Sequence, residues 1–130
     1  MNCRKPAILL VDDDVVCLTA IQMYLAHENY TVITTESGEK AWEILSSGQY
    51  NFSAVITDRM MPGMDGVELT RKINAHPVFK NIPILMITSE AKTCHKVDAV
   101  EGGVFDFLIK PVEKKLLLLV LKRAVEKGFL

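Results

Sequence analysis

The sequence predicts an α/β fold: a doubly wound, five-stranded parallel sheet with helices on both faces. Three observations lead there. Short apolar runs bounded by turn residues recur five times, as suits strands buried on both faces. Between them lie segments with apolar residues at helical spacing, so successive parallel strands are joined by right-handed crossovers. The runs also end in reactive side chains, Asp12-Asp13, Asp58, Thr88-Ser89 and Lys110, and open parallel sheets collect functional groups at their carboxyl ends.

In order, Ala7–Val11 reads as a strand apolar on both faces that stops at Asp12-Asp13-Asp14. Asp14 suits the N-cap of a helix over 15–27 whose inner face is Leu18, Ile21 and Leu25. Residues 30–34, with a less clear pattern and threonines, read as an edge strand. Ser37-Gly38-Glu39-Lys40 opens a second helix with Ala41, Ile44 and Leu45 inward and Gly48 as its stop. The lone Trp42 is assigned to packing against that helix's neighbours, since a single tryptophan is more often core than binding platform. The run Ala54-Val55-Ile56-Thr57-Asp58 is the central strand, followed by a loop carrying Pro62, Gly63 and Gly66. Asp65 or Gly66 begins a third helix through Val67, Leu69 and Ile73 that ends at His76-Pro77, with His76 read as an exposed helix-end residue. A fourth strand, Ile84-Leu85-Met86-Ile87, ends at Thr88. A weaker helix over 92–101 carries Val97 and Val100 inward, and Gly102-Gly103 ends it. Residues 105–109 form the fifth strand, closed by Lys110-Pro111. The last helix, 113–127, has leucine on one side and Lys114, Lys115, Lys122 and Arg123 on the other.

At 130 residues the chain is predicted to be one domain, spanning 1–130. Charged content of 24% and a net charge of -1 give no electrostatic footprint for direct nucleic-acid binding. Cys3, Cys17 and Cys94 lack C-x-x-C spacing, so neither a disulfide framework nor a zinc site is indicated. No run approaches the ~18 apolar residues of a membrane span, so membrane insertion is not expected and a cytoplasmic location follows by default.

The strand order 2-1-3-4-5, the flavodoxin-like arrangement, sets strand one beside strand three and brings Asp12 and Asp13 next to Asp58. Two carboxylates ~4 Å apart repel by roughly 4 kcal/mol at an effective dielectric of ~20. Lys110 supplies one positive charge for three acids, and the deficit argues for a divalent ion. An all-oxygen, partly hydrated site suits Mg²⁺. The plainer alternatives are an acidic patch neutralised by Lys110 alone, and an Asp58 that merely opens a solvated turn. A hydroxyl and an ammonium opposite a metal-bound carboxylate can also hold the oxygens of a phosphoryl group, which casts Asp58 as an acceptor.

With these residues assembled, the chain resembles the receiver domains of two-component response regulators (CheY-like) over nearly its whole length. Ile8-Leu9-Leu10-Val11-Asp12-Asp13-Asp14 resembles the family's first strand and acidic pair. Thr57-Asp58-Arg59-Met60-Met61-Pro62-Gly63-Met64-Asp65-Gly66 resembles its phosphorylation loop. Pro83-Ile84-Leu85-Met86-Ile87-Thr88 resembles its fourth strand and switch hydroxyl, and Phe107-Leu108-Ile109-Lys110-Pro111 its final signature. The resemblance implies that Asp58 accepts a phosphoryl group from a phosphohistidine on a histidine kinase or a histidine phosphotransfer protein. It further implies Mg²⁺ bound by Asp13, Asp58 and the Met60 backbone carbonyl, with Asp12 acting through water. Lys110 and Thr88 would hold the phosphoryl oxygens, and Phe107 would move into the space Thr88 leaves. Lys110-Pro111 would be a cis peptide. Such a chain is a phosphoacceptor switch that assists its own phosphorylation and dephosphorylation. A downstream protein or output domain would read the face formed by the fourth helix, fifth strand and last helix.

Phe105 stands where a small or polar residue is usual in that family, and Phe107 where tyrosine is most frequent. Met60, two positions past Asp58, is apolar and would border the approach of a hydrolytic water; Glu90, two past Thr88, lies on the opposite rim. Two rival functions are an interaction-only receiver with a vestigial site and a small Mg²⁺-dependent phosphatase of the haloacid-dehalogenase type. The latter usually needs a second aspartate where this chain has Met60. Whether the chain acts alone or within a larger protein is open from sequence.

Overall fold

A computed structural model describes residues 5–89 and 103–127. The five strands are β1 (Ala7–Val11), β2 (Thr31–Thr35), β3 (Phe52–Asp58), β4 (Ile84–Thr88) and β5 (Asp106–Ile109). They form one sheet in the order β2-β1-β3-β4-β5, every pairing parallel. The helices are α1 (Val15–Leu25), α2 (Gly38–Ser46), α3 (Gly66–Ala75) and a C-terminal helix over Lys114–Lys127. The helix expected over 92–101 lies outside the described residues, as does Glu90.

Boundaries differ from the sequence reading by one or two residues. β2 begins at Thr31 because Ala7 of β1 pairs with that residue, and β3 extends back to Phe52, which also pairs with Ala7. α1 ends at Leu25, with Ala26 as its C-cap. β5 starts at Asp106, so Phe105 precedes the strand, although its N–H donates to the Ile84 carbonyl at 2.8 Å.

Local chemistry explains the helix starts. Asp14, Ser37 and Asp65 each turn a side-chain oxygen back to a first-turn N–H, at 3.0 Å to Val16, 3.1 Å to Lys40 and 2.9 Å to Glu68. Gly48, at φ 75°, follows α2 in the left-handed region that other residues rarely enter.

The alternation of β-strand side chains divides the core in two. Ile8, Leu10, Ala54, Ile56, Leu85, Ile87 and Leu108 face α1 and the C-terminal helix, whose Leu18, Ile21, Leu117 and Leu121 meet them. Leu9, Val11, Val55 and Ile84 face α2 and α3, meeting Ala41, Leu45, Leu69 and Ile73. β3 is flanked by strands on both sides and covered on both faces, so its interior residues are shut from water and its last residue is delivered to one fixed point. No helix among the described residues is long and apolar enough to cross a membrane.

Candidate functional site

The apolar interiors of β1 and β3 run out at the same edge because the two strands are in register, with Val11 beside Thr57. The next residues, Asp12 and Asp58, are both buried, and Asp13 beyond them is exposed. One carboxylate oxygen from each of Asp12, Asp13 and Asp58 lies within 4.8 Å of the others. The Lys110 ammonium reaches over from the end of β5, 3.4 Å from Asp58 Oδ1 and 3.5 Å from Asp12 Oδ2. The Lys110 backbone is held there by its amide N–H, which donates to the Thr88 carbonyl at 2.8 Å. The Lys110-Pro111 peptide bond is cis.

The acids are incompletely satisfied. Asp12 Oδ1 accepts the Asp14 N–H at 2.9 Å, but Asp12 Oδ2 is buried without a hydrogen-bond donor. Burial, and then the charge of Asp12, push the Asp58 carboxyl up to about 6 despite the nearby ammonium. Burial alone would lower the Lys110 pKa, but the Asp12 and Asp58 carboxylates outweigh it and raise it. One cation therefore does not offset the cluster. A hard divalent ion fits: the donors are all oxygens, and a buried carboxylate oxygen lacks a donor.

The loop after Asp58 is held at its neck. The Arg59 N–H donates to the Ile87 carbonyl at 2.8 Å, and the Gly66 N–H donates to the Arg59 carbonyl at 3.0 Å. A Cβ at Gly66 would overlap the Asp58 carbonyl oxygen, so a side chain there would force the loop off the strand end. Met61 is buried against the α2–α3 core, whereas the Met60 side chain is 63% exposed and its sulfur lies 3.1 Å from Arg59 Nη1.

Thr88 is buried at the end of β4, one position past Ile87, the register partner of Asp58. Phe107 pairs with Met86, and Ile109 with Thr88, so Thr88 and half-buried Phe107 are diagonal neighbours on one face of the sheet. Phe105 packs against the opposite core cluster, and the Lys127 ammonium lies 5.4 Å from its ring centre.

Several features escaped the sequence reading. His76 is half-buried instead of exposed: its ring stacks on Phe79 at 4.2 Å and meets Trp42 edge-on at 5.8 Å. The α2–α3 packing that sets Trp42 against the end of α3 is the reason, and no spacing rule reports it. Trp42 itself is half-buried beside the core, with the Lys72 ammonium 5.1 Å from its ring centre. Tyr24 donates its hydroxyl to the Val112 carbonyl at 3.2 Å, tying α1 to the turn after Lys110. Cys17 lies near the acids; burial first, and then its contact with Asp12, push its thiol up to about 12, so it stays protonated. Glu39, 25 positions before Met64, accepts that residue's N–H at 2.9 Å.

Comparison with known proteins adds independent findings. The family model described as "Response regulator receiver domain" matches residues 8–122. Two-component response regulator ORR3 of Oryza sativa subsp. indica is 38% identical over 108 residues, which cover 83% of this chain and 82% of the relative. The 3',5'-cyclic-nucleotide phosphodiesterase regA of Dictyostelium discoideum is 38% identical over 114 residues, 87% of this chain. The chain spans only 14% of that relative's length. The crystal structure of the signal receiver domain of an HD domain-containing protein from Pseudomonas fluorescens Pf-5 superposes with a TM-score of 0.88 at 28% identity. That match covers 99% of this chain and 93% of the other.

Proposed function

The chain belongs to the response regulator receiver domains, the phosphoacceptor family of two-component signalling, and on that premise we propose that Asp58 takes a phosphoryl group from a phosphohistidine. The observation that carries this reading is the buried Asp58 carboxylate 3.4 Å from the Lys110 ammonium, beside an Asp12 oxygen with no hydrogen-bond donor. With a pKa near 6, Asp58 is mostly ionised at pH 7 and able to act as a nucleophile.

A carboxylate oxygen of Asp58 attacks phosphorus. The P–O bond forms as the P–N bond to the donor imidazole breaks, and the imidazole departs with that electron pair. Lys110 pairs with the transferring oxygens, and the Thr88 hydroxyl donates to one of them. Asp13, Asp58 and the Met60 carbonyl would hold Mg²⁺ directly and Asp12 through water; when bound, the ion neutralises charge on the acids and on the phosphoryl oxygens. Drawing Thr88 toward the phosphoryl group vacates the space beside Phe107 on the same face, which is the reading's link to output. The partners it implies are a histidine kinase or histidine phosphotransfer protein as donor and a downstream protein or output domain as reader.

The test is labelling by a small-molecule phosphoryl donor with Mg²⁺. Wild type should gain one base-labile phosphate and Asp58→Asn none. Equal labelling of the two proteins would remove Asp58 from the role, and multiple turnover on a phosphomonoester would favour a phosphatase.

A further inference from the structure

We propose that Glu39 is a positioning residue for the loop that carries the Met60 carbonyl, and through it sets the affinity of the acidic site for Mg²⁺; this rests on the metal site proposed above. Glu39 belongs to the first turn of α2, on a different crossover from the phosphorylation loop. Its Oε2 nevertheless accepts the Met64 N–H at 2.9 Å. Both chains are shaped for that contact. A Cβ at Gly38 would overlap the Met64 carbonyl oxygen and come within 3.0 Å of the Met64 Cβ and Cγ. Gly63 has φ +72°, in the left-handed region, and a Cβ there would overlap Glu39 Oε2. Glycines on both sides thus let the α2 terminus and the loop crown approach more closely than side chains permit.

The loop is fixed at its neck by the Gly66-to-Arg59 hydrogen bond and in its middle by buried Met61. Met60 lies between these anchors with a largely exposed side chain, so its own packing does little to hold its carbonyl. Glu39 restrains the far limb of the same loop through a charged acceptor, the stronger kind of hydrogen bond. The Met64 N–H is the main reason the Glu39 carboxyl is held below its usual range, with its own backbone N–H second. Groups that orient metal ligands at one remove commonly change affinity by about 10- to 100-fold. An exposed contact reaching the carbonyl through four residues of loop belongs below that range, at about three- to tenfold.

A competing role exists: an acid in the first turn of α2 also favours the helix terminus. Calorimetric titration of Mg²⁺ into wild type, Glu39→Ala and Glu39→Gln separates the two, with metal-free melting recorded for each. Glu39→Ala should bind Mg²⁺ about three- to tenfold more weakly, while Glu39→Gln, which keeps an acceptor oxygen, stays within about twofold of wild type. Wild-type affinity in Glu39→Ala, with or without a lower metal-free melting temperature, overturns the proposal and leaves the metal site standing. Equal weakening in both variants also overturns it, because the charge and not the hydrogen bond would then be responsible. A wild type that binds no Mg²⁺ overturns the proposal and the metal site together.

Discussion

The two ends of β3 are built differently. At its start, Phe52 packs against the α2–α3 core and lies 5.3 Å from the exposed ring of Tyr50, with no buried charge nearby among the described residues. At its end, Asp58 is buried beside Asp12 with one ammonium for company. Between them Ala54, Val55 and Ile56 are wholly inaccessible. The strand interior supplies the stability, and the carboxyl end uses some of it to keep acids where water would otherwise separate them. A reactive edge of this kind needs an apolar anchor behind it, because like charges held together work against the fold.

The largest effect that would sharpen this contrast is loss of the anchor. Ile56→Ala should destabilise the protein by about 2–5 kcal/mol, the usual cost of a buried isoleucine cut to alanine. Denaturant unfolding measures it, and a cost under about 1 kcal/mol would mean that the anchor lies elsewhere.

A smaller change of opposite sign is expected at the tip. The folded pKa of Asp58 is raised from 3.8 to about 6. A raised carboxyl binds its proton more tightly when folded, so its stabilising contribution is present below about pH 4 and is lost as pH rises through 6. In metal-free protein at pH 7, Asp58→Asn should therefore be more stable than wild type by about 1–3 kcal/mol, a gap that narrows as pH falls through that window. Melting curves at several pH values check it. A less stable Asp58→Asn at pH 7 would break the contrast between the two ends.

The smallest effect is kinetic. Met60 stands two positions past Asp58 and would border the path of a water in line with the leaving carboxylate. Met60→Asn should speed phosphate loss several-fold without changing Mg²⁺ affinity, because the ion would meet only the backbone carbonyl. Decay that is unchanged or slower, measured after the donor is removed, would assign the lifetime to another group.

Sequence carried the sheet and the acidic edge well because both follow local rules. Apolar runs stop where strands stop, and Asp12, Asp58, Thr88 and Lys110 each sit at such a stop, so strand order alone brings them together. It carried contacts between crossovers poorly. Glu39 has no local feature beyond a good first-turn acid, and its link to Met64 exists only once α2 and the loop are folded side by side. His76 was misjudged for the same reason: its ring partners, Trp42 and Phe79, depend on how α2, α3 and the following turn meet. Burial of Asp58 was inferable from β3, but an Asp12 oxygen left without a hydrogen-bond donor was not, since that depends on where the Lys110 side chain ends.

The strand order has one more consequence, for the chain as it is made. Asp12 directly follows β1 and Asp58 ends the adjoining β3, whereas Lys110 follows β5 at the far edge of the sheet. A chain emerging amino terminus first can dock β1 against β3 and bring the two acids together before Lys110 has been synthesised. Until β5 docks on β4, that early assembly lacks Lys110 to offset them, and a cation from solution can serve in its place. A chain that folds as it is synthesised would thus pass through a stage at which the acidic edge depends more on ions in its surroundings than it does in the finished fold.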